Sequence, residues 1–319
     1  MRRRMEVLRL PAVPLRHAGY LHPPSADPQW DRTPQAVGVG PGNQAYAVWA
    51  SRDGSGQRLV TIHDGDRQPV RSVRLDGRLD PSFVQPLPDG CVLLVKARSR
   101  SGANAEIWSP DGDRVRQGGF GDAIETVLTT PSGAIWVGYF DEAMGGHGPQ
   151  GHGLARFPLD LEPAWVYPHR ADLPSIADCY ALNLAGETAW SCAYTAFHLV
   201  AVRDDQPIDY GAAPCNGAPA LLTDGATGAL IGGYGPEYDL ITPFHIGEEH
   251  VTAVGGPRRL VLPDGLEVSA RRIYGRGTEL HVIVQQSWYR LDLAQLVESM
   301  RPAGWPTQPD ADQRRPGGE

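Results

Sequence analysis

Acidic and aromatic side chains recur together in the middle of the chain, and they are the residues most able to bind a ligand. The segment over residues 141–152 contains Asp141, Glu142, His147 and His152 among several glycines. Carboxylates attract organic cations and are the ligands that Ca²⁺ and Mg²⁺ prefer, while tyrosine faces hold cations and sugars. These residue types therefore indicate a site for a small polar or cationic ligand.

The elements that must position these side chains recur along the chain. Each copy has a glycine turn followed by an apolar strand, at intervals of roughly 40–50 residues, a spacing typical of propeller blades with four strands each. The sequence predicts an all-β fold, a six-bladed β-propeller, with seven blades as the alternative. The turn glycines are Gly42, Gly90, Gly133, Gly186, Gly228 and Gly277.

The repeats occupy residues 37–300 and leave a short segment at each end. Residues 7–10 are predicted to form a lone strand that pairs with the last copy, because closing the ring removes open sheet edges. Residues 1–36 then supply the closing strand and a connector. Residues 294–300 predict a short helix or turn, and the polar, proline-rich residues 301–319 predict a disordered tail.

Charge and cysteine content exclude several classes of partner. The formal net charge is −8, and Lys and Arg are clustered only in the first four residues, which argues against a nucleic-acid partner. No stretch is long enough to span a bilayer, and Arg9 interrupts any signal-peptide core. Four cysteines without C-x-x-C spacing favour reduced, buried thiols in a cytoplasmic protein, with a structural metal or disulfides as the alternative.

The third copy resembles a known repeat. The string TTPSGAIWVGY followed by GLARF is similar to the repeat of two-component-regulator-type bacterial propellers. The strings GYFDE, DCYALNLAGETAW and GGYGPE resemble uncharacterised bacterial propeller-like proteins. The resemblance implies a bacterial β-propeller repeat protein and no particular activity.

In such a fold one rim carries the loops between second and third strands and the loops that lead into each first strand. We call this the upper rim. Candidate ligand-binding residues are those that the repeats place there, with aromatic rings beside carboxylates. The predicted set is Asp122, Glu125, Tyr139, Asp141, Glu142, His147, His152, Asp178, Tyr194, Glu237 and Asp239.

Three interpretations of this set stay open. A binding module for a small polar or cationic ligand, or for a protein partner, is favoured because no nucleophile elbow, zinc-protease motif or P-loop occurs. The same carboxylates could bind Ca²⁺ or Mg²⁺ in a metal-dependent hydrolase or lyase of the lactonase-like propeller type. The third is that the 141–152 loop is a tolerated insertion with no partner. No catalytic residue is predicted.

Overall fold

The computed structural model describes residues 2–24, 29–65, 68–99, 102–269 and 271–300. Within these ranges the chain is almost entirely β-sheet, with six small sheets arranged as a six-bladed β-propeller. The predicted fold class and the count of six blades are therefore confirmed. The tail predicted over residues 301–319 lies outside the described residues.

The chain begins with helix α1 (Arg2–Val7) and strands β1 (Ala12–Pro14) and β2 (Arg16–Tyr20). Blades one to four follow consecutively along the chain, and each consists of four antiparallel strands. Blade one is β3 (Ala36–Val39), β4 (Ala45–Ala50), β5 (Arg58–His63) and β6 (Arg71–Leu75). Blade two is β7 (Phe83–Pro86), β8 (Val92–Val95), β9 (Ala105–Trp108) and β10 (Arg114–Gly118). Blade three is β11 (Ile124–Thr129), β12 (Ile135–Tyr139), β13 (Leu154–Phe157) and β14 (Trp165–Val166), and blade four is β15 (Ile176–Ala185), β16 (Thr188–Thr195), β17 (His198–Arg203) and β18 (Gln206–Ala212).

The last two blades incorporate the N-terminal strands. Blade five is β19 (Ala220–Thr223), β20 (Thr227–Ile231), β21 (Leu240–Ile246), β22 (Val251–Ala253) and β23 (Arg258–Val261), and β1 pairs in parallel with β23. Blade six is β24 (Arg271–Arg276), β25 (Glu279–Val284) and β26 (Ser287–Asp292), and β2 is its fourth strand. Short 3₁₀ turns occur at Pro88–Gly90, Asp141–Ala143, Pro149–His152 and Gly235–Glu237.

Ring closure is confirmed, but residues other than the predicted ones make it. Strand β2 pairs antiparallel with β26, from Arg16 opposite Arg290 to Tyr20 opposite Ser287. The prediction of a strand at residues 7–10 is wrong, because the amide of Leu8 bonds the Arg4 carbonyl and that of Leu10 bonds the Val7 carbonyl. These local bonds continue the turn of α1, so the strands begin only after Pro11.

Two further local predictions can be compared with the structure. The predicted helix after the last blade is present as α2 (Leu293–Ser299), and the Asp292 carboxylate caps it by accepting from the amides of Ala294 and Gln295. The fifth turn glycine was misplaced: Gly228 lies inside β20, whereas Gly225 is in the turn with φ of 94°. Glycine is needed at position 228 for a different reason, because an added Cβ would lie 2.3 Å from the Phe244 ring.

The core fills the space between the blades. Trp49, Trp136 and Trp190, which lie in second strands, are 0–2% exposed, as their size and apolar surface favour. Trp49 donates its indole hydrogen to the Thr61 hydroxyl at 2.8 Å. The innermost strands β3, β7, β11, β15, β19 and β24 contact one another in a closed ring around the channel.

Buried polar side chains lie at the lower end of the channel, where the inner strands end. Arg276 of blade six reaches the Thr129 carbonyl of blade three at 2.6 Å. Asn183 of blade four donates to the carbonyls of Leu221 and Gly277 at 2.8 Å each. These bonds join blades three to six at the lower end of the channel.

The described residues contain no helix of the length and apolarity that a bilayer span requires. All four cysteines are unbonded, with Cys179 and Cys192 buried and Cys91 and Cys215 half-buried. Burial raises the pKa of the Cys179 and Cys192 thiols to about 12, so both stay protonated at neutral pH.

Removing residues 1–20 should destabilise the ring far more than removing residues 1–10. The longer truncation deletes β2, which leaves the backbone of β26 unpaired and the edge of blade six open. We expect its melting temperature to fall at least about 10 °C below that of the shorter truncation. Differential scanning calorimetry of both proteins measures this, and equal melting temperatures would show that β2 is not needed for closure.

Candidate functional site

Two irregular strands shape the upper mouth of the channel. In β11 the ladder shifts between Ile124 and Thr126, which leaves Glu125 outside the regular pairing with β12. In β15 it shifts on both sides of Asp178, and Tyr180 lies in the second irregular stretch. Bulges redirect side chains and are frequent beside functional sites. They explain why polar side chains occur at the inner ends of these two neighbouring blades.

Three carboxylates are electrostatically coupled at this mouth. Burial, with a contribution from Asp178, raises the pKa of Glu125 to about 7. Burial and the nearby Asp141 raise the pKa of Asp178 as well. Glu125 keeps solvent-exposed surface, so the shift reflects water displaced by the channel wall rather than full enclosure. We call Glu125, Asp141 and Asp178 the acidic mouth.

No internal cation neutralises the acidic mouth. Among the ion pairs of the described residues, none joins Glu125, Asp141 or Asp178 to an Arg or Lys. The causes of the raised pKa values of Glu125 and Asp178 are burial and another carboxylate, with no contribution from a basic group. Negative charge placed this way is costly unless a cation joins it.

Aromatic rings adjoin the acidic mouth. Asp178 lies directly opposite Tyr194 in the ladder between β15 and β16, so the two side chains are cross-strand neighbours. Tyr180 contacts the rings of Tyr194, Phe197 and Tyr234, with centroids 6.5, 5.8 and 5.7 Å away. Burial raises the pKa of the Tyr234 hydroxyl, and Tyr180, Tyr194 and Asp178 contribute to that shift. We call Tyr180, Tyr194, Phe197 and Tyr234 the aromatic cluster.

Asp122 and Glu142 both pair with the same arginine, Arg98. The Nη2 of Arg98 is 2.6 Å from a Glu142 carboxylate oxygen, and its Nε is 3.5 Å from Asp122. Asp122 also accepts a hydrogen bond from the Ser99 amide at 2.8 Å. Arg98 lies over the Phe140 ring at 5.1 Å. These two predicted residues therefore have internal partners.

Glu237 and Asp239 bind the N-terminal helix. Arg4 donates to both oxygens of Asp239, at 2.6 and 2.8 Å, and lies 4.4 Å from the Tyr238 ring centroid. Asp239 is 0% exposed. Arg3 pairs with Glu237 at 2.5 Å. Two arginines of the basic N-terminal segment therefore pair with two carboxylates of the predicted site.

Tyr139 is a core residue, which corrects its assignment to the rim. Its side chain is 0% exposed, and its hydroxyl donates to the Phe120 carbonyl at 2.6 Å. The position of Tyr139 at the end of its strand could not show that it is buried, because its side chain lies in the core shared by blades two and three. A buried ring cannot offer its face to a ligand.

The two predicted histidines are separate from each other. His147 is exposed in the loop after β12. The Nδ1 of His152 lies 2.9 Å from the Tyr167 carbonyl oxygen, and its ring stacks on His169 at 4.6 Å. Neither is part of a metal-binding group, because no three or more His, Cys, Asp or Glu side chains are placed around one point in the described ranges.

Several site residues were missing from the predicted set. Tyr180 is two residues beyond Asp178 on the same strand, but the ladder is irregular between Asp178 and Ala181, so strand alternation does not place it. Phe197 carried no signal, because its loop after β16 looks like an ordinary turn. Arg98 and Arg4 could not be found from the sequence, since each belongs to a segment distant from its carboxylate.

A cavity of about 540 Å³ adjoins the aromatic cluster. Tyr234 is part of both, so the cavity lies next to the acidic mouth on the side of blade five. Its volume is within the range of small-molecule sites. Polar side chains in its wall include those of Arg3, Asn216, Glu237 and Thr242, with the Cys215 thiol beside them.

Comparison with known proteins supports the fold and does not define a family. No protein-family model and no curated protein matches the chain. A PQQ-bound aldose sugar dehydrogenase from Streptomyces coelicolor is similar in structure, with a TM-score of 0.50 and 12% identity over 88% of this chain and 97% of that one. At that identity the likeness shows the fold alone.

Two other solved structures are more distant. A gluconolactonase from Xanthomonas campestris has a TM-score of 0.43 at 15% identity, covering 88% of this chain and 98% of that one. The extracellular domain of a proposed one-component system from B. thetaiotaomicron has a TM-score of 0.44 at 12% identity, covering 86% of this chain and 35% of that one. The β-propeller that the repeat resemblance implies is present in the structure itself, and its two-component-regulator type stays a prediction.

Replacing Arg4 with alanine should destabilise the protein strongly. Arg4 is 18% exposed and Asp239 is 0% exposed, so the substitution leaves a buried carboxylate without its cation. We expect a loss of about 3 kcal/mol in urea unfolding. Arg2→Ala is the matched control. Arg2 is 96% exposed, and its Nε makes a long contact of 3.6 Å with a Glu6 oxygen, so its loss should change stability by less than about 0.5 kcal/mol. Equal effects would contradict a role of α1 in neutralising Asp239.

Replacing Tyr139 with phenylalanine should also lower stability, although it removes only one atom. The Phe120 carbonyl loses its hydrogen bond inside the core, which should cost about 1–2 kcal/mol in urea unfolding. Tyr194→Phe is the control, since Tyr194 is 42% exposed and should tolerate the change within about 0.5 kcal/mol. A neutral Tyr139→Phe would mean that this hydroxyl is hydrated and not buried.

Proposed function

We propose that this propeller is a binding module whose upper rim holds a small organic cation at the acidic mouth, between blades three, four and five. The carboxylates of Glu125 and Asp178 supply the charge. Tyr194 and Tyr234 supply ring faces at the same place. The proposal narrows the small polar or cationic ligand that the sequence predicts.

One observation carries the proposal: among the residues that the structure describes, no basic side chain pairs with the acidic mouth, while the neighbouring carboxylates have such a partner. Arg98 pairs with Glu142, and Arg4 pairs with Asp239. The raised pKa of Glu125, about 7, reflects first its burial and then the nearby Asp178, with no basic group contributing. A bound cation would lower that cost, and so the arrangement favours binding of positive charge.

The metal-dependent hydrolase or lyase rests on the sequence alone. Ca²⁺ takes six to eight oxygen ligands at roughly 2.3–2.6 Å. No three candidate ligands lie close enough for a shared metal ion in the ranges that the structure describes. An organic cation needs no such shell, because attraction to ring faces and to carboxylates acts over longer distances.

Cation affinity should rise with pH, because Glu125 ionises near neutrality. The probes are ethanolamine and choline, titrated into the full-length protein by calorimetry at pH 6 and pH 8. For a pKa of about 7, affinity should increase up to about tenfold over this range, the ratio of the ionised fractions. Glu125→Gln should remove the pH dependence, and Asp178→Asn should weaken binding at both pH values.

The same substitution has a defined effect on stability. Because folding raises the pKa of Glu125 from 4.5 to about 7, its contribution is fully present below pH 4.5 and is lost as pH rises to 7. Glu125→Gln should flatten stability over that window. Asp111→Asn, in the turn between β9 and β10 on the opposite rim, is the control and should behave as wild type. If neither ethanolamine nor choline binds, or if Glu125→Gln and Asp178→Asn both leave binding unchanged, the proposed function is wrong.

A further inference from the structure

The arrangement of the aromatic cluster restricts which cation it suits. Tyr180 and Phe197 lie in contact, with centroids 5.8 Å apart. Each of them contacts both Tyr194 and Tyr234, at centroid distances between 5.7 and 6.5 Å. Within the described chain Tyr194 and Tyr234 make no ring contact with each other, so they flank the Tyr180–Phe197 pair on two sides.

The flanking rings are exposed, whereas Tyr180 behind them is half-buried and Phe197 is buried. Tyr194 is 42% and Tyr234 is 47% exposed, whereas Phe197 is 6% exposed. The planes of Phe197 and the two flanking tyrosines are inclined at 66° and 83°. Edge contacts of this kind hold both tyrosines in place, so little side-chain entropy is lost when a ligand contacts their faces.

The charge beside these rings is negative. Asp178 is the cross-strand neighbour of Tyr194 and acts electrostatically on Tyr234. Glu125 is coupled to Asp178. Rings with carboxylates beside them attract a cation through the ring quadrupoles as well as through charge.

Hydration distinguishes the kinds of organic cation that could bind here. A primary ammonium is compact and strongly hydrated, and it needs close hydrogen-bond acceptors to replace its water. A methylated ammonium has no or few N–H donors and spreads its charge over methyl groups, which pack on aromatic faces. Tyr194 and Tyr234 expose much of their ring surface here, and such surface favours the methylated form.

We propose that the ligand of this surface carries a methylated, preferably quaternary, ammonium group, held between Tyr194 and Tyr234 with Tyr180 behind it and Asp178 at its side. This inference rests on the proposed function and adds the chemical class of the ligand. The cavity of about 540 Å³ beside Tyr234 gives the remainder of the ligand a place on the blade-five side.

Three probes separate charge from methylation. Choline has a quaternary ammonium group, 3,3-dimethylbutan-1-ol is its neutral isostere, and ethanolamine has a primary ammonium group. Calorimetric titration at pH 8 should show choline binding about tenfold more tightly than either of the others, a difference of about 1.4 kcal/mol.

Variants assign the effect to the rings. Tyr194→Leu and Tyr234→Leu should each weaken choline binding at least about fivefold. Tyr194→Phe and Tyr234→Phe keep the ring faces and should retain binding within about twofold, which controls for misfolding of the leucine variants. Tyr20→Leu is the matched control, because Tyr20 is 52% exposed on blade six and should have no effect.

The outcomes distinguish this inference from the proposed function. Equal affinity for ethanolamine and choline, abolished by Glu125→Gln together with Asp178→Asn, would overturn the preference for methylation and leave cation binding in place. Equal affinity for choline and its neutral isostere would overturn both, because charge would then play no part. Choline binding that survives both leucine substitutions would overturn the assignment to Tyr194 and Tyr234.

Discussion

The pairing of β2 with β26 is the constraint on which the rest of the structure depends. A sheet edge exposes unpaired amides and carbonyls, and a ring of blades is stable only when the last blade has its outer strand. Here that strand comes from residues 16–20, at the other end of the chain. Joining the two ends in blade six closes the circle of inner strands, and this circle holds the bulges of β11 and β15 next to each other at the upper rim.

Internal arginines determine which carboxylates are available to a ligand. The upper rim is rich in acidic groups, but Arg98 pairs with two of them and the N-terminal helix pairs with two more. What is left is the acidic mouth, where burial and mutual repulsion raise the pKa values of Glu125 and Asp178. The proposed site thus depends on the absence of an ion pair in the described chain as much as on the presence of charge, since a paired carboxylate gains little from a second cation.

Much of the architecture could be predicted because local patterns determine it. Alternating apolar strands and glycine turns predicted the six blades, and the burial of the tryptophans in second strands follows from their size and apolar surface. The cap at Asp292 and the short helix after it also follow from local residue types. The position of the closing strand was predicted wrongly. Residues 7–10 make local hydrogen bonds that continue α1, and residues 16–20 pair with blade six instead.

The sequence by itself determined the fold class, the acidic character of the upper rim and the presence of Asp178 and Tyr194 there, because strand periodicity and loop composition are local properties. It could not determine which of those side chains act together. Tyr139 is buried and Asp239 is neutralised, while Tyr180 and Glu125 face the mouth through bulges. Burial, ion pairing across more than 200 residues and irregular ladders depend on distances between distant segments, and those distances exist only once the ring has closed.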